Sequence, residues 1–134
     1  MRKPSKPLAP AGRSWNKTKP LELTLHKAVV QALQEHCYPY WCWFHVPNGA
    51  PTNAITGARF KAMGLKPGIP DLVLVAPDNT VRFLELKREG GKLSEAQLDF
   101  QVFCIAHGHQ HAVVDNLRDA LAVLSNWNCL RVKL

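Results

Sequence analysis

The chain has 134 residues, of which 46% are apolar, so it is long enough and apolar enough to build the core of one domain. Its longest apolar run, residues 72–77, has the length of a strand, which excludes a helix of the roughly 20 apolar residues that span a bilayer. The formal net charge is +7, and no apolar segment follows the basic N-terminus, so we expect a soluble, intracellular protein with no secretory signal and no membrane partner.

Most of the net positive charge, +6 of +7, lies in residues 1–20, which we predict to be a flexible basic arm in front of a folded domain over residues 21–134. The arm contains six Lys or Arg side chains, no acidic side chain, and prolines that interrupt any periodicity. The other 114 residues hold 11 basic and 10 acidic side chains, so the domain itself is nearly neutral. Such an arm either follows nucleic-acid phosphates, because counterion release favours that binding, or is a solvated tail that aids solubility. The composition favours neither interpretation.

The predicted domain begins with a helix over residues 21–36. Leu25, Val29 and Leu33 repeat at every fourth residue, as on the buried face of a helix, and Glu22 continues the same stripe. A carboxylate at the start of a core-facing stripe suggests a functional role. Further along, we predict an aromatic-rich strand over residues 40–46, a turn over residues 47–49, and a loop over residues 50–68 with a short helix near residues 58–63.

A β-hairpin is predicted next, with strands over residues 69–76 and 81–87 joined by the turn Pro77-Asp78-Asn79-Thr80. Ser94-Glu95-Ala96-Gln97 fits a capping box, which predicts a helix over residues 94–107 that ends at Gly108. The last predicted elements are a strand over residues 111–115, a helix that Asn116 caps and that ends near residue 127, and an edge strand over residues 129–134. The order α-β-β-β-α-β-α predicts an α/β fold with a central mixed sheet flanked by helices.

Three residues of this hairpin carry the clearest chemistry: Asp71 at the start of the first strand, and Glu85 and Lys87 near the end of the second. Residues two apart on a strand point to the same face, so Glu85 and Lys87 share one. An odd-length turn would place Asp71 beside Glu85, whereas a two-residue turn would shift that register by one. Two close carboxylates repel unless a hard cation such as Mg²⁺ compensates them, and an ammonium group beside it can orient a water molecule that attacks phosphorus. The pattern therefore indicates phosphodiester hydrolysis.

The alternative interpretation of these charges is a solvated hairpin face, because short motif matches often arise by chance. The strand over residues 72–75 reads Leu-Val-Leu-Val, which is typical of a central strand rather than an edge strand. Charged groups at the end of a buried strand are costly unless they serve a site. The context therefore favours a functional site.

Three blocks around these residues resemble the VRR-NUC (virus-type replication-repair nuclease) family, which belongs to the PD-(D/E)XK, restriction-endonuclease-like superfamily. The blocks are GLKPGIPDL at residues 64–72, FLELK at residues 83–87 and LSEAQ at residues 93–97, and the resemblance extends over residues 22–124. It implies a restriction-endonuclease-like core. By position, it implies that Asp71 and Glu85 bind a metal ion and that Lys87 is the catalytic lysine.

The same resemblance implies supporting roles for other residues. The backbone carbonyl of Leu86 matches a further metal contact, and Glu22 matches an acidic residue of the first helix that lies near the metal and is a candidate ligand. Gln97 matches a glutamine that faces the site, and Asn48 matches a turn near the substrate. Basic side chains in the loops around the motif are candidate phosphate contacts, although loops are often basic for solvation alone. These candidates are Arg59, Lys61, Lys66, Arg88 and Lys92.

Short, stand-alone members of the family, often from phages, are similar to this chain in length. The resemblance to them implies a DNA endonuclease that uses Mg²⁺ or Mn²⁺ and cuts four-way (Holliday) junctions or other branched DNA in replication, recombination or repair. It also implies a homodimer, which suits a junction of near two-fold symmetry, in the cytoplasm of a bacterial or phage-infected cell. Two alternatives stay open: a structure-blind or flap nuclease, and a non-catalytic nucleic-acid-binding module with the same fold.

A zinc site is the rival interpretation for His107, His109 and His111, which alternate close to Cys104. The spacing matches neither CxxC nor HxxxH, and Gly108 is expected to end the helix between the first two histidines. We therefore interpret these histidines as parts of a helix-to-strand turn.

Overall fold

The structure is a computed structural model that describes the backbone over residues 8–47 and 53–132, with side chains described from residue 21 onward in those ranges. Its elements, in chain order, are α1 (Leu8–His36), β1 (Cys42–His45), α2 (Ala54–Ala62), β2 (Leu72–Val75), β3 (Val81–Leu86), α3 (Glu95–His107), β4 (Gln110–Val114) and α4 (Leu117–Asn126). No helix of the described ranges is long and apolar enough to cross a membrane.

The strands form one mixed sheet in the order β1-β2-β3-β4. β2 is antiparallel to both β1 and β3, whereas β4 runs parallel to β3. α3 connects β3 to β4 and packs against β4, as a crossover helix does between parallel strands. The predicted α/β fold with a mixed sheet flanked by helices is confirmed, and α2 is the short helix that interrupts the long loop.

The main core lies between the sheet and the pair α1 and α4. Alternation along β3 directs Leu84 and Leu86 into this core, where the α1 stripe residues Val29 and Leu33 are also buried. The neighbouring residue Phe83 instead meets a phenylalanine of α3, with the ring of Phe100 edge-on at 5.0 Å between centroids. The two faces of β3 therefore pack against different helices.

The predicted signals at the ends of α3 are confirmed. The hydroxyl of Ser94 accepts a hydrogen bond from the backbone N–H of Gln97 at 3.2 Å. In return, the side-chain oxygen of Gln97 accepts from the backbone N–H of Ser94 at 2.8 Å, which completes the capping box. Gly108 ends the helix with a φ of 76°, in the left-handed region.

Two predicted boundaries differ from the structure. α1 begins at Leu8, well before residue 21, and Pro10 lies in its first turn, where a missing N–H leaves no hydrogen bond unmade. The division of the chain at residue 20 into an arm and a domain stays a prediction. The edge strand over residues 129–134 is wrong for the described residues 129–132, because only Leu130 pairs, in an isolated bridge with Cys37. Asn128, at a φ of 62°, turns the chain sharply after α4, and the chain crosses the end of α1 without a longer ladder.

Gly68 lies in the loop before β2, where the chain passes very close to α3. Its φ is +86°, and a Cβ at this position would lie 2.4 Å from the carbonyl oxygen of Ala96. Replacing Gly68 with alanine is therefore expected to lower the free energy of unfolding by about 2–4 kcal/mol, because backbone strain adds to a steric clash. Gly64 is the matched control: its φ is +103° but no atom lies within 4 Å, so alanine there should cost about 1–2 kcal/mol. Urea unfolding measures the free energy of unfolding of both variants. If Gly68→Ala and Gly64→Ala lower it equally, the close approach of Gly68 to Ala96 adds no cost.

Candidate active site

Asp71 and Glu85 lie side by side at one end of the sheet. The register pairs Leu72 with Leu84 and Val75 with Val81, so the turn over residues 76–80 has an odd length. Continuing the same register by one residue places Asp71 opposite Glu85. The backbone N–H of Leu86 donates to Oδ2 of Asp71 at 2.8 Å, which holds this carboxylate in place. Of the two registers that the sequence allowed, the chain adopts the one that brings the carboxylates together.

Glu85 is buried, with 3% of its surface exposed. It is the one buried charged side chain in the described part of the chain. Burial raises the pKa of the Glu85 carboxyl to about 9, and hydrogen bonding and repulsion from Asp71 add to the increase. The ammonium group of Lys87 acts in the opposite direction and lowers this pKa, while the charge of Glu22 raises it further. Four ionisable side chains, from α1, β3 and the residues that flank β2 and β3, therefore lie within electrostatic range of one another.

The environment of Glu85 fits a divalent cation. Its Oε2 atom is buried and has no hydrogen-bond partner among the described residues. A buried carboxylate oxygen without a donor, next to a second carboxylate, is unfavourable unless a positive charge compensates it. Carboxylate oxygens are the ligands that Mg²⁺ and Mn²⁺ prefer. Asp71 and Glu85 are thus suited to hold such an ion, with the carbonyl of Leu86 at the same strand end as the further ligand that the family resemblance implies.

α1 brings two more side chains to this end of the sheet. Glu22 and His26 are one helical turn apart, and both are half-buried. The charge of Glu22 raises the pKa of Glu85. Within the described ranges, however, the side-chain oxygens of Glu22, Asp71 and Glu85 do not all lie within 4.8 Å of one another, as the ligands of a shared ion would. A role of Glu22 as a direct ligand stays a prediction.

A histidine of β1 also contacts Asp71, and the sequence had not pointed to it. His45 places its Nδ1 atom 2.7 Å from the backbone carbonyl oxygen of Asp71 and its ring edge-to-face with His26, at 4.5 Å between centroids. One donor atom from each of His26, His45 and Asp71 lies within 4.8 Å of the others. Burial lowers the pKa of His26, and His45 lowers it further, whereas Asp71 raises it. His45 is the last residue of β1 and pairs with Leu72, the first residue of β2. Because Asp71 directly precedes Leu72, the pairing of these strands brings His45 next to Asp71.

The other predicted site residues are not brought to the carboxylate pair by any contact in the described residues. Gln97 uses its side-chain oxygen to cap α3, so that atom is engaged in the helix end, and a role of Gln97 at the metal site stays a prediction. Asn48 lies outside the described residues. The five basic candidates for phosphate contact are all exposed, on α2 and in the loops before β2 and after β3: Arg59, Lys61, Lys66, Arg88 and Lys92.

The alternating histidines at the end of α3 are not part of a metal cluster in the part of the chain that the structure describes. His107 bonds through Nδ1 to the carbonyl of Phe103, 2.9 Å away, and its ring stacks near that of His109. Their interpretation as a helix-to-strand turn is supported by the left-handed Gly108 between them.

The fold is a mixed four-stranded sheet flanked by helices, and the described carboxylates Asp71 and Glu85 lie at one end of it with Lys87 nearby, an arrangement that fits a nuclease domain. The sequence model of the VRR-NUC domain matches residues 22–116. A solved structure described as a VRR_NUC domain has the same fold, with a TM-score of 0.57 and 17% identity over 79% of this chain and 96% of that chain. The chain therefore belongs to the VRR-NUC family, a family of nucleases. Comparison with curated proteins found no match.

Proposed function

We propose that this chain is a Mg²⁺- or Mn²⁺-dependent DNA endonuclease whose catalytic residues are Asp71, Glu85 and Lys87. The observation that supports this most strongly is the buried, unpartnered oxygen of Glu85 beside a second carboxylate and an ammonium group. A buried carboxylate pair destabilises the fold unless a positive charge compensates it, and a divalent ion that also binds a phosphate group fits this chemistry. Glu22 and Gln97 act as supporting residues in this proposal.

The mechanism assigns a separate task to each side chain. Asp71 and Glu85 would hold the cation, and Asp71 is kept in orientation by the N–H of Leu86, which donates to its Oδ2 atom. The bound cation would supply a Lewis acid that polarises the scissile phosphate. Lys87 orients the attacking water and stabilises the negative charge that develops on the phosphoryl oxygens. Water adds to phosphorus as the opposite P–O bond breaks in line, which leaves a phosphate monoester and a free hydroxyl.

DNA reaches the site along the exposed basic loops in this proposal. Arg88 and Lys92 follow the strand that carries Glu85, so phosphates that they bind lie next to the carboxylate pair. Arg59, Lys61 and Lys66, which are exposed on α2 and in the loop that follows it, are assigned to further phosphate contacts. Asn48 is assigned to the substrate side by the family resemblance alone.

Selectivity for four-way or other branched DNA, in replication, recombination or repair, is the finer part of the proposal, and it requires a homodimer with two sites. α3 has an apolar stripe for a second copy of the chain, formed by Leu98, Val102 and Ile105, which are 48%, 58% and 72% exposed. These residues lie at positions i, i+4 and i+7 and so form one ridge. In an antiparallel pair, the start of α3 would face the C-terminal end of the partner's α3, so the positive and negative ends of the two helix dipoles lie side by side.

Replacing Val102 with glutamate is expected to convert the dimer into a monomer, because it puts a charge at the centre of the α3 stripe. Ala122→Glu is the matched control, since Ala122 is an exposed alanine on α4, outside the stripe. Size-exclusion chromatography with light scattering gives the mass of each variant. A wild-type chain that is monomeric at micromolar concentration would rule out this surface as a stable dimer interface.

The proposed activity is tested by incubating labelled linear duplex, flap and four-way junction DNA with the full chain, with Mg²⁺, with Mn²⁺ and with chelator. Cleavage is expected only with a divalent ion and most rapidly on the junction. Asp71→Ala should still bind DNA but should not cut it, because a metal ligand is lost. Cleavage that persists in chelator or in Asp71→Ala contradicts the assigned mechanism. Equal rates on duplex and junction would identify a structure-blind nuclease, and binding without any cleavage would identify a non-catalytic module.

A further inference from the structure

We infer that His26, His45 and Asp71 form a second cation site, which binds a transition-metal ion of the Mn²⁺-to-Zn²⁺ series through imidazole nitrogen. This inference adds to the proposed function and rests on it at one residue, because Asp71 belongs both to this site and to the Asp71–Glu85 pair. One donor atom from each side chain lies within 4.8 Å of the others. Metal–nitrogen and metal–oxygen distances are about 2.0–2.2 Å, so adjustments of about 1 Å would close the three donors around an ion.

The hydrogen bond of His45 leaves one of its nitrogens ready to bind metal. A backbone carbonyl can only accept, so the Nδ1 atom that lies 2.7 Å from the carbonyl oxygen of Asp71 must carry the hydrogen. The lone pair of that imidazole is then on Nε2. Metal-binding histidines usually donate their other N–H to a carbonyl or carboxylate, which sets the ring orientation. His45 has this arrangement before any ion is bound.

The other two side chains are also held in place by the fold. Asp71 accepts the N–H of Leu86 through Oδ2, as a ligating carboxylate usually accepts a bond from its surroundings. His26 is half-buried on α1 and contacts the ring of His45 edge-on, which limits the rotation of both rings. His45 is exposed, so an ion can enter from solvent.

The donor set determines which ions this site selects. Two imidazoles and one carboxylate suit Mn²⁺, Fe²⁺, Co²⁺ or Zn²⁺, with affinity rising along that series. Mg²⁺ prefers oxygen ligands and retains its water, so it is expected to bind at the Asp71–Glu85 pair and not at the histidines. His45 shares a face of the sheet with Leu72 and Leu84, whereas Glu85 lies on the other face of β3, so Asp71 is the ligand that the two sites have in common.

Cobalt binding to the full chain tests this inference, with Co²⁺ alone as the probe. Its visible absorption reports nitrogen ligation, and calorimetry gives stoichiometry and affinity. The double variant His26→Asn/His45→Asn is compared with the matched control His107→Asn/His109→Asn, which removes two histidines outside the site. We expect the first pair to weaken the tightest Co²⁺ site at least about 10-fold and to abolish its absorption band, while the control retains both. Circular dichroism verifies that each variant is folded.

The outcomes separate this inference from the proposed function. Equal Co²⁺ affinity and spectra in the wild-type chain and in His26→Asn/His45→Asn would overturn the histidine site, whether or not the chain cuts DNA. Loss of Co²⁺ binding that occurs only in the control pair would overturn it as well. If the chain fails to cleave DNA in Mg²⁺ but binds Co²⁺ through His26 and His45, the proposed function fails and the histidine site stands.

Discussion

Replacing Lys87 with methionine is expected to lower the rate of DNA cleavage by about 10³-fold, because methionine keeps the length of the side chain but removes its charge. The ammonium group lies near Glu85, whose pKa it lowers, so it is close to the place where a phosphate would meet the cation. DNA affinity should change by less than about 10-fold, since one phosphate contact among several is lost. Single-turnover cleavage with enzyme in excess measures the rate, and fluorescence anisotropy with labelled junction DNA measures binding.

Lys92→Met is the control for this substitution, because Lys92 is an exposed lysine in the loop that follows the same strand. It should weaken DNA binding modestly and reduce the salt dependence of binding, with little change in the single-turnover rate at saturating enzyme. If Lys87→Met and Lys92→Met lower the rate equally, Lys87 acts only as a phosphate contact and its catalytic assignment is wrong.

Replacing Glu85 with glutamine is expected to abolish cleavage and, without metal, to make the fold more stable. The pKa of Glu85 is raised from 4.5 to about 9 in the folded chain, mainly by burial. Between these two values the unfolded chain has lost the proton while the folded chain retains it, so wild-type stability falls as pH rises through that window. Glutamine has no proton to lose and can still donate to Asp71. The variant should therefore gain about 2 kcal/mol or more over the wild type at pH 8, and little at pH 4.5.

Urea unfolding in chelator at several pH values between 4.5 and 9 measures this difference. Glu89→Gln is the control, since Glu89 is exposed in the loop after β3 and its replacement should change stability by less than about 0.5 kcal/mol at every pH. A stability difference between Glu85→Gln and the wild type that is the same at pH 5 and pH 8.5 would contradict the raised pKa. Added Mg²⁺ should stabilise the wild type but not Glu85→Gln, because only the wild type retains both carboxylates.

The placement of charged side chains on the hairpin could be predicted from the sequence because it depends on local periodicity. Alternation along a strand places Glu85 and Lys87 on one face whatever the rest of the fold does. The capping box of α3 and the left-handed Gly108 are likewise properties of neighbouring residues, and both are present. The metal-binding and catalytic roles of these residues stay predictions until the variants are measured.

Other features depend on contacts between distant segments, and sequence reasoning left them open or misplaced them. Gln97 fits both a capping residue and a site residue, and the structure engages its oxygen in the cap. The strand expected after Cys129 is reduced to a single bridge between Leu130 and Cys37, because only residues 36–38 at the end of α1 run alongside it. Local pattern could not reveal how short that contact is.

From the sequence alone came the helix stripe on α1, the central apolar strand, the Asp71, Glu85 and Lys87 set, and the family. These depend on the order and spacing of side chains, which the chain carries before it folds. Only the tertiary structure decided that the five-residue turn aligns Asp71 with Glu85, and that β1 brings His45 beside His26. Register and strand order depend on which side chains the whole core buries. The free energy of that burial comes from segments that are far apart in the sequence, so no local pattern contains it.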